Sequence, residues 1–266
     1  MKILLGSDPE MFVYKDGEAI SAHGMVDGTK DNPLLVKNGA VQVDGMALEY
    51  NTNPASNLNA WERNHVTVQQ QLQDMIDEKL EIKATPTAFF SDEVFKKTPK
   101  NALVLGCEPD YNAYTGVENI PPNAKVKFRT GAGHIHIGWT KGEDINDPFH
   151  RAECEALVKS LDYHLGMPSL LIDGDAKRRE LYGKAGAYRP KEYGLEYRTL
   201  SNFWIANAKL RKWVWDTTIL AIKSAMDDDN NHRHSDRWGQ IINSNDIDEA
   251  KWWCDHSSYL KLPQGY

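Results

Sequence analysis

Apolar and polar positions alternate in short runs along the first fifty or so residues, and the runs are broken at Asp16-Gly17, Asn38-Gly39 and Asp44-Gly45. A side-chain period of two, punctuated by Asp-Gly and Asn-Gly, predicts short strands joined by tight hairpins. From Leu58 the period changes. Leu58, Trp61, His65, Val68, Leu72 and Met75 recur at spacings of three and four, the stripe of an amphipathic helix. Asn59 and Glu62 have the spacing of a capping box at its start, and His65 is expected to pack within the stripe. Thr85 to Phe90 returns to strand character. Cys107 to Asn123, rich in Pro, Gly, Asn and Tyr, predicts a long loop. Lys125 to Arg129 predicts a strand that leads through Thr130-Gly131-Ala132-Gly133 into His134-Ile135-His136. Asp147-Pro148 supplies an N-cap and a first-turn proline for a helix whose apolar face is Phe149, Cys154, Leu157, Val158, Leu161 and Leu165. Beyond Gly194 a strand carries Glu196-Tyr197-Arg198. A long helix is expected from about Trp204 to Met226, then a polar loop from Asp227 to Asp236, then a last helix capped by Asp246 and carrying Trp252 and Trp253. Most tryptophans of the C-terminal third are expected in the core.

Strands with hairpins first and helices inserted later predict an α+β architecture built on a mostly antiparallel sheet. With 266 residues, no internal repeat and no low-complexity linker, residues 1–266 are expected to form one domain. Hydrophobic residues make up 41% and charged residues 26%, ordinary for a globular chain. The net charge of −7 argues against general nucleic-acid binding, which calls for a basic excess. Three widely spaced cysteines without a CxxC pair suggest neither a zinc knuckle nor a disulfide framework. Reduced cytosolic thiols are expected. The N-terminal apolar run reads as a first strand, not a signal peptide, and no run approaches the length of a membrane span.

Chemistry enters with three triplets: Asp8-Pro9-Glu10, His134-Ile135-His136 and Glu196-Tyr197-Arg198. Residues i and i+2 of a strand share a face, so each triplet is expected to present two polar side chains together. Glu49, in Ala47-Leu48-Glu49-Tyr50-Asn51, adds a fourth acid. Asp8, Glu10, Glu49 and Glu196 brought together repel one another unless paired, protonated or bound to cations. Oxygen and imidazole donors suit Mg²⁺ or Mn²⁺. On this reading each acid strains the metal-free protein, and removing Glu49 or Glu196 should leave its stability level or higher.

In order, the segments are Gly6-Ser7-Asp8-Pro9-Glu10, Leu48-Glu49-Tyr50-Asn51, Gly131-Ala132-Gly133-His134-Ile135-His136 and Leu195-Glu196-Tyr197-Arg198. Their order and spacing resemble the glutamine synthetase and γ-glutamylcysteine ligase superfamily, and within it the bacteriophage COOH–NH2 ligase type 2 family, over roughly residues 6 to 204. The resemblance implies a glutamine-synthetase-type catalytic sheet with helices packed on one side. It implies an ATP-dependent ligase that joins a small-molecule or peptide carboxylate to an amine through an acyl phosphate. Asp8, Glu10, Glu49, His134 and Glu196 then look like metal ligands, and His136 lies near the nucleotide phosphates. Arg198 would touch the phosphoryl group in transit, with Arg129, Arg178, Arg179 and Arg189 as further phosphate or substrate contacts. The segment from Arg178 to Arg189 looks like a substrate or phosphate loop. Two departures stand out: only one acid of the family's second motif, Glu49, is evident, and the first acid is Asp8, shorter than glutamate. The resemblance further implies a cytoplasmic protein, the host's cytoplasm if phage-encoded, and leaves a homo-oligomer open. A guanidino-kinase-like phosphotransferase on the same fold, or a non-catalytic metal-binding protein, are the alternatives. A cupin-like site is disfavoured, since the next glutamate after His136 is Glu143, seven residues on.

Overall fold

A computed structural model describes residues 2–104, 109–120, 126–226 and 235–266. The chain begins with β1 (Leu4–Ser7), β2 (Glu10–Lys15), β3 (Glu18–Ile20), β4 (Leu34–Val36), β5 (Gly39–Asp44) and β6 (Ala47–Thr52). Helix α1 (Leu58–Met75) follows, then β7 (Glu81–Lys83), β8 (Thr87–Phe89) and α2 (Asp92–Lys97). Next come β9 (Tyr111–Asn112), β10 (Phe128–Thr130), β11 (Ile135–Gly138), α3 (Pro148–Leu161), a π-helical turn (Asp162–Gly166) and α4 (Met167–Ser169). Strands β12 (Ala187–Lys191) and β13 (Gly194–Tyr197) precede α5 (Ala208–Ala225), α6 (Arg237–Ser244) and α7 (Ile247–His256).

Among the described residues all strand ladders are antiparallel. One sheet has the order β1-β11-β13-β12-β9, a second runs β3-β2-β6-β5-β4 with β7 also on β2, and β8 pairs with β10. The hairpins fall where the dipeptides place them. Asp16 and Gly17 have φ of 52° and 85° and Asn38 has φ of 69°, the left-handed backbone that tight hairpin turns require. No ladder joins β1 to β6 at the seam between the two large sheets. The Leu5–Ala55 bridge and the Ser7 N–H, donated to Thr52 Oγ1 at 3.0 Å, span it instead.

Helices α1 and α3 cover one face of these sheets, with α5 packed behind both. Alternation does the sorting. Ile135, Ile137, Leu195 and Tyr197 enter the main core with Trp61, Val68, Leu72, Leu161 and Trp204, which leaves the polar members of β11 and β13 on the opposite face. Three expectations change. The N-cap of α1 is Asn57, whose side chain accepts from Ala60 N, so Asn59 lies inside the helix. Phe149 is 84% exposed, because the buried stripe of α3 runs through His150, Cys154, Leu157, Val158 and Leu161, and Phe149 is five residues from Cys154. The long helix expected from Trp204 breaks at Asn207, which is extended and caps α5 by accepting from Leu210 N. Asn is favoured there because its side-chain oxygen reaches an orphan helix N–H. Trp204, Trp213, Trp215 and Trp238 are buried, while Trp252 is exposed. Residues 107, 108 and 121–123 of the loop expected from Cys107 to Asn123, the first residue of the strand expected at Lys125, and His232 and His234 in the polar loop lie outside the described residues. The described part of that first loop contains β9.

Where α3 loosens into its π-helical turn, Asp162 is fully buried and accepts four hydrogen bonds. Tyr197 (2.7 Å) and Thr199 (3.1 Å) donate to Oδ1, and Tyr114 (3.0 Å) and the Gly186 N–H (2.6 Å) donate to Oδ2. One carboxylate thus ties β13 to the loop after β9 and to the loop before β12. Asp162→Asn replaces an acceptor by a donor that faces other donors. It is expected to lower stability by about 1–3 kcal/mol, the cost of leaving a buried polar group unsatisfied, as measured by thermal denaturation.

Candidate active site

Of the three triplets, the first does not act as a unit. Asp8 and Pro9 form the connection between β1 and β2, which belong to different sheets, so Asp8 and Glu10 diverge. Asp8 joins His134 and Glu196, while Glu10 joins Asp44 and Glu49, and within each trio one ligand atom per residue lies within 4.8 Å of the others. In the first trio His134 Nδ1 is 3.3 Å from Asp8 Oδ1 and 3.4 Å from Glu196 Oε1. His136 Nε2 is 3.2 Å from the same Asp8 oxygen. Its Nδ1 is 2.5 Å from the Tyr193 hydroxyl. Register explains the assembly, since His136 sits opposite Glu196 and Arg189 sits opposite Glu196 on its other side.

In the second trio Glu10 and Glu49 are directly opposite across β2 and β6, and Gln42 faces Glu49 from β5. Like charges so placed repel. Asp44 was not among the residues expected to bind metal. It was legible only as a turn residue, and it does both jobs: it ends β5 at the hairpin and presents its carboxylate to Glu10. The glycine turn contributes a backbone donor, with Ala132 N–H donating to Glu10 Oε2 at 2.9 Å. Gly133 is there for room, because a Cβ would lie 2.3 Å from Ser201 O and 2.5 Å from Trp204 Nε1.

The two trios differ in electrostatic state. Glu196 is ringed by cations: Arg198 Nη1, Arg189 Nη1 at 3.0 Å and Lys191 Nζ at 3.3 Å. Burial and Asp8 push its pKa up, but Arg198 and the two histidines overcome them and hold it at about 2. Burial also raises Asp8, and His136 and His134 outweigh it, leaving Asp8 well below the usual carboxylate range. Burial and then Arg198 depress His134, whereas Asp8 outweighs burial and raises His136. Glu10 is raised to about 7 by burial and then by Asp44, and Glu49 is raised well above its ordinary value by burial, Asp8, Glu10 and Asp44. Crowding expected of all four acids therefore holds for Glu10 and Glu49 alone, because Lys191, Arg189 and Arg198 neutralise Glu196. Lys191 was missed, though the i, i+2 rule applied to Arg189-Pro190-Lys191 would have found it.

The raised group fixes a pH dependence. Glu10 titrates near 7 in the folded protein and near 4.5 when unfolded, so the folded state holds the extra proton between those values. Its contribution is complete below about pH 4.5 and is lost as pH rises to about 7. In EDTA the melting temperature is expected to fall from about pH 5 to about pH 8 on this account. Divalent metal should flatten the slope, as followed by differential scanning calorimetry.

The arginines separate as well. Arg198 bridges two carboxylates, with Nη1 on Glu196 and Nε on Asp110 Oδ2 at 2.9 Å. Arg189 donates to Glu196 and to Pro109 O. Arg129 lies on the cleft wall with its guanidinium donating to the carbonyls of Leu103, Val126 and Phe128. Arg178 is buried behind Gly183 and donates to the carbonyls of Thr199 and Arg198. Arg179 donates to Asn245 Oδ1 at the end of α6. Of the five, Arg198 and Arg189 are brought to the acidic residues, while Arg178 and Arg179 hold the segment that frames the cleft.

Two openings flank the trios. A cleft of about 730 Å³, counted out to its open mouth, is lined by Glu10, Asp44, His134 and Arg198 together with Asp110, Arg129 and Tyr182. A groove of about 1100 Å³ at the His136 end of the HxH pair is lined by His136, Tyr193, Trp139, Thr140, Asn51 and Lys2. Whether a divalent ion fits can be judged from the donors. Asp8 Oδ1 and His136 Nε2 are buried without a well-formed hydrogen bond, and the second trio has three carboxylates converging. Oxygen-rich donor sets of this kind suit hard divalent cations.

Sequence comparison finds a family match over part of the chain. Residues 112–238 match the family described as phage phiEco32-like COOH.NH2 ligase-type 2, so the resemblance seen in the motifs is borne out over that stretch. No curated protein matches the chain in sequence. Among solved structures, "Apo GmaS without ligand" is similar with 13% identity and a TM-score of 0.44, covering 99% of this chain and 71% of that one. "Crystal structure of novel glutamine synthase homolog" is similar with 12% identity and a TM-score of 0.42, covering 96% of this chain and 66% of that one. Among the described residues no helix is long and apolar enough to cross a membrane.

Proposed function

We propose that the chain is an ATP-dependent carbon–nitrogen ligase, acting as one catalytic unit on a small-molecule or peptide carboxylate and an amine. One observation carries this reading: two ligand trios with different charge states open onto one cleft that also contains Arg198. Asp8, His134 and Glu196 would hold one Mg²⁺ or Mn²⁺ ion, and Glu10, Asp44 and Glu49 a second. Bound there, the metals would neutralise phosphate charge as it develops. The groove beside His136 offers Trp139 and Tyr193 for a base and Lys2 for an anion, which supports a nucleotide on that side. The carboxylate and amine would then occupy the cleft.

The chain's own groups divide the work. His136 would donate to a phosphate oxygen from Nε2, with its other nitrogen held by Tyr193. Arg198, fixed in orientation by Asp110, and Arg189 would face the phosphoryl group as it passes from ATP to the substrate carboxylate, with ADP leaving. The amine then attacks the acyl carbon and phosphate departs. Asp110 lines the cleft as an acceptor for the proton the amine sheds.

Calorimetry is expected to show ATP binding tightly with Mg²⁺ or Mn²⁺ and poorly in EDTA, and equal affinity in both would count against the reading. Purified protein with ATP, Mg²⁺ and a panel of amino acids and amines should release phosphate in step with an amide product seen by mass spectrometry. A stable phosphorylated product without amide would point to a phosphotransferase instead.

A further inference from the structure

We infer that His65 is a positioning residue that sets the spacing between the two acidic trios by clamping the seam between the two sheets. The inference rests on the two-metal reading above and assigns a role to a side chain expected only to pack. His65 is fully buried on α1. Its Nδ1 is 2.8 Å from the Tyr50 hydroxyl on β6, and its Nε2 is 3.3 Å from Ser7 Oγ on β1. Ser7 is the residue before Asp8, and Tyr50 is the residue after Glu49. Neighbours along a strand face opposite ways, so the imidazole grips the back of the segments that present one acid to each trio.

The hydrogen bonds form a directed chain. Gln69 Nε2 donates to the Tyr50 hydroxyl at 2.8 Å, so the tyrosine's own proton goes to His65 Nδ1. His65 then carries its proton on Nε2 and donates to Ser7 Oγ, which meets Thr52 Oγ1 at 3.1 Å. Donation by Tyr50 needs a neutral ring with a free lone pair, and burial and Arg211 hold His65 well below its ordinary pKa. Edge contacts with Trp61 at 4.4 Å and Trp204 at 5.2 Å fix the ring plane.

Packing alone does not call for this. The other stripe members, Val68 and Leu72, are apolar, and burying an imidazole costs free energy unless both nitrogens are satisfied. The clamp also lies where the Leu5–Ala55 bridge, and no ladder, joins β1 to the segment after β6, so this chain of side chains fixes the seam at a second point, beside the acids.

The test uses the full chain loaded with two equivalents of Mn²⁺. Spin–spin coupling in the electron paramagnetic resonance spectrum reports the spacing, and a titration reports each affinity. Tyr50→Phe and Ser7→Ala each remove one oxygen from one arm, His65→Phe removes both arms while keeping a ring, and Val68→Ala destabilises the same helix face without touching the clamp. The wild type should show two bound Mn²⁺ with coupled spins. A wild type binding fewer than two would overturn the two-metal reading itself. The clamp variants should keep two sites but change the coupling and weaken the second ion by on the order of tenfold, as for other groups that orient ligands. Val68→Ala should change neither. If Tyr50→Phe and Ser7→Ala match the wild type in coupling and affinity, or Val68→Ala shifts them as much, the positioning role is overturned. These two variants decide the matter even where His65→Phe fails to fold.

Discussion

Glu49→Gln is expected to raise the melting temperature of the metal-free protein, and Glu196→Gln to lower it, although both should sharply reduce metal-dependent turnover. Each substitution keeps shape and deletes one negative charge, so the surroundings decide the sign. Glu49 faces Glu10 across the ladder, with Asp8 and Asp44 nearby and only Gln42 to bond. Its folded-state pKa is raised, so at neutral pH its ionisation costs stability that glutamine restores. Glu196 is nearly fully buried against Arg198, Arg189 and Lys191. Its pKa is depressed to about 2, so its contribution is present above about pH 4.5 and is lost only as pH falls toward 2. Removing it strands buried cations, at a cost of about 3–5 kcal/mol, or a drop of roughly 10 °C in a domain of this size. Calorimetry in EDTA at pH 7 distinguishes the two, and equal shifts in one direction would refute the contrast in charge state. Loss of a metal ligand should cost turnover on the order of 10²–10³-fold, as for loss of other electrostatic stabilisers of a transition state.

Arg198→Lys is expected to leave metal affinity within a few-fold of wild type and to cut turnover by on the order of 10²-fold. The guanidinium serves two carboxylates at once, Glu196 through Nη1 and Asp110 through Nε, and they come from segments 88 residues apart in the case of Asp110. A planar fork can hold both in a fixed direction, whereas an ammonium is a point charge on a flexible stem. Lysine would keep enough positive charge beside Glu196 for the ion pair, with Arg189 and Lys191 still present. It would lose the fixed direction toward the phosphoryl group. Single-turnover phosphate release alongside Mn²⁺ titration separates the two effects. Near-wild-type turnover in Arg198→Lys would remove Arg198 from the catalytic set.

The sequence made the antiparallel α+β architecture, the hairpins and the amphipathic helices visible because they depend on local period and turn chemistry. It also named ten positions that line or frame the acidic cleft, together with His136 in the neighbouring groove. What it concealed was how they are partitioned. Asp8-Pro9-Glu10 looks like one strand face, but the chain crosses between sheets at Asp8, and only the tertiary seam shows that its two acids part. Asp44 was hidden because Asp-Gly is a sufficient reason for an aspartate at a turn. Asp110 and Tyr193 carry no periodic signal, since each matters only through a partner distant in sequence. The distinction between Arg198 and Arg178 is likewise tertiary: one meets carboxylates and the other backbone carbonyls, and both are arginines in basic, aromatic surroundings. His65 showed its stripe position but not its two hydrogen bonds, which depend on strands fifteen and fifty-eight residues away.

Asn202 donates to the carbonyl of Glu10 across 192 residues of chain and to that of Thr85, and Ala132 reaches the Glu10 carboxylate across 122. The acidic trios are therefore expected among the last features a folding chain completes, since contacts this remote come only after the loops between them have closed. On the proposed two-metal reading a divalent ion would meet no organised donors on the way up. It would find them only once the barrier has been crossed, so it is expected to prolong the life of the folded protein by slowing unfolding and to leave the speed of refolding where it was.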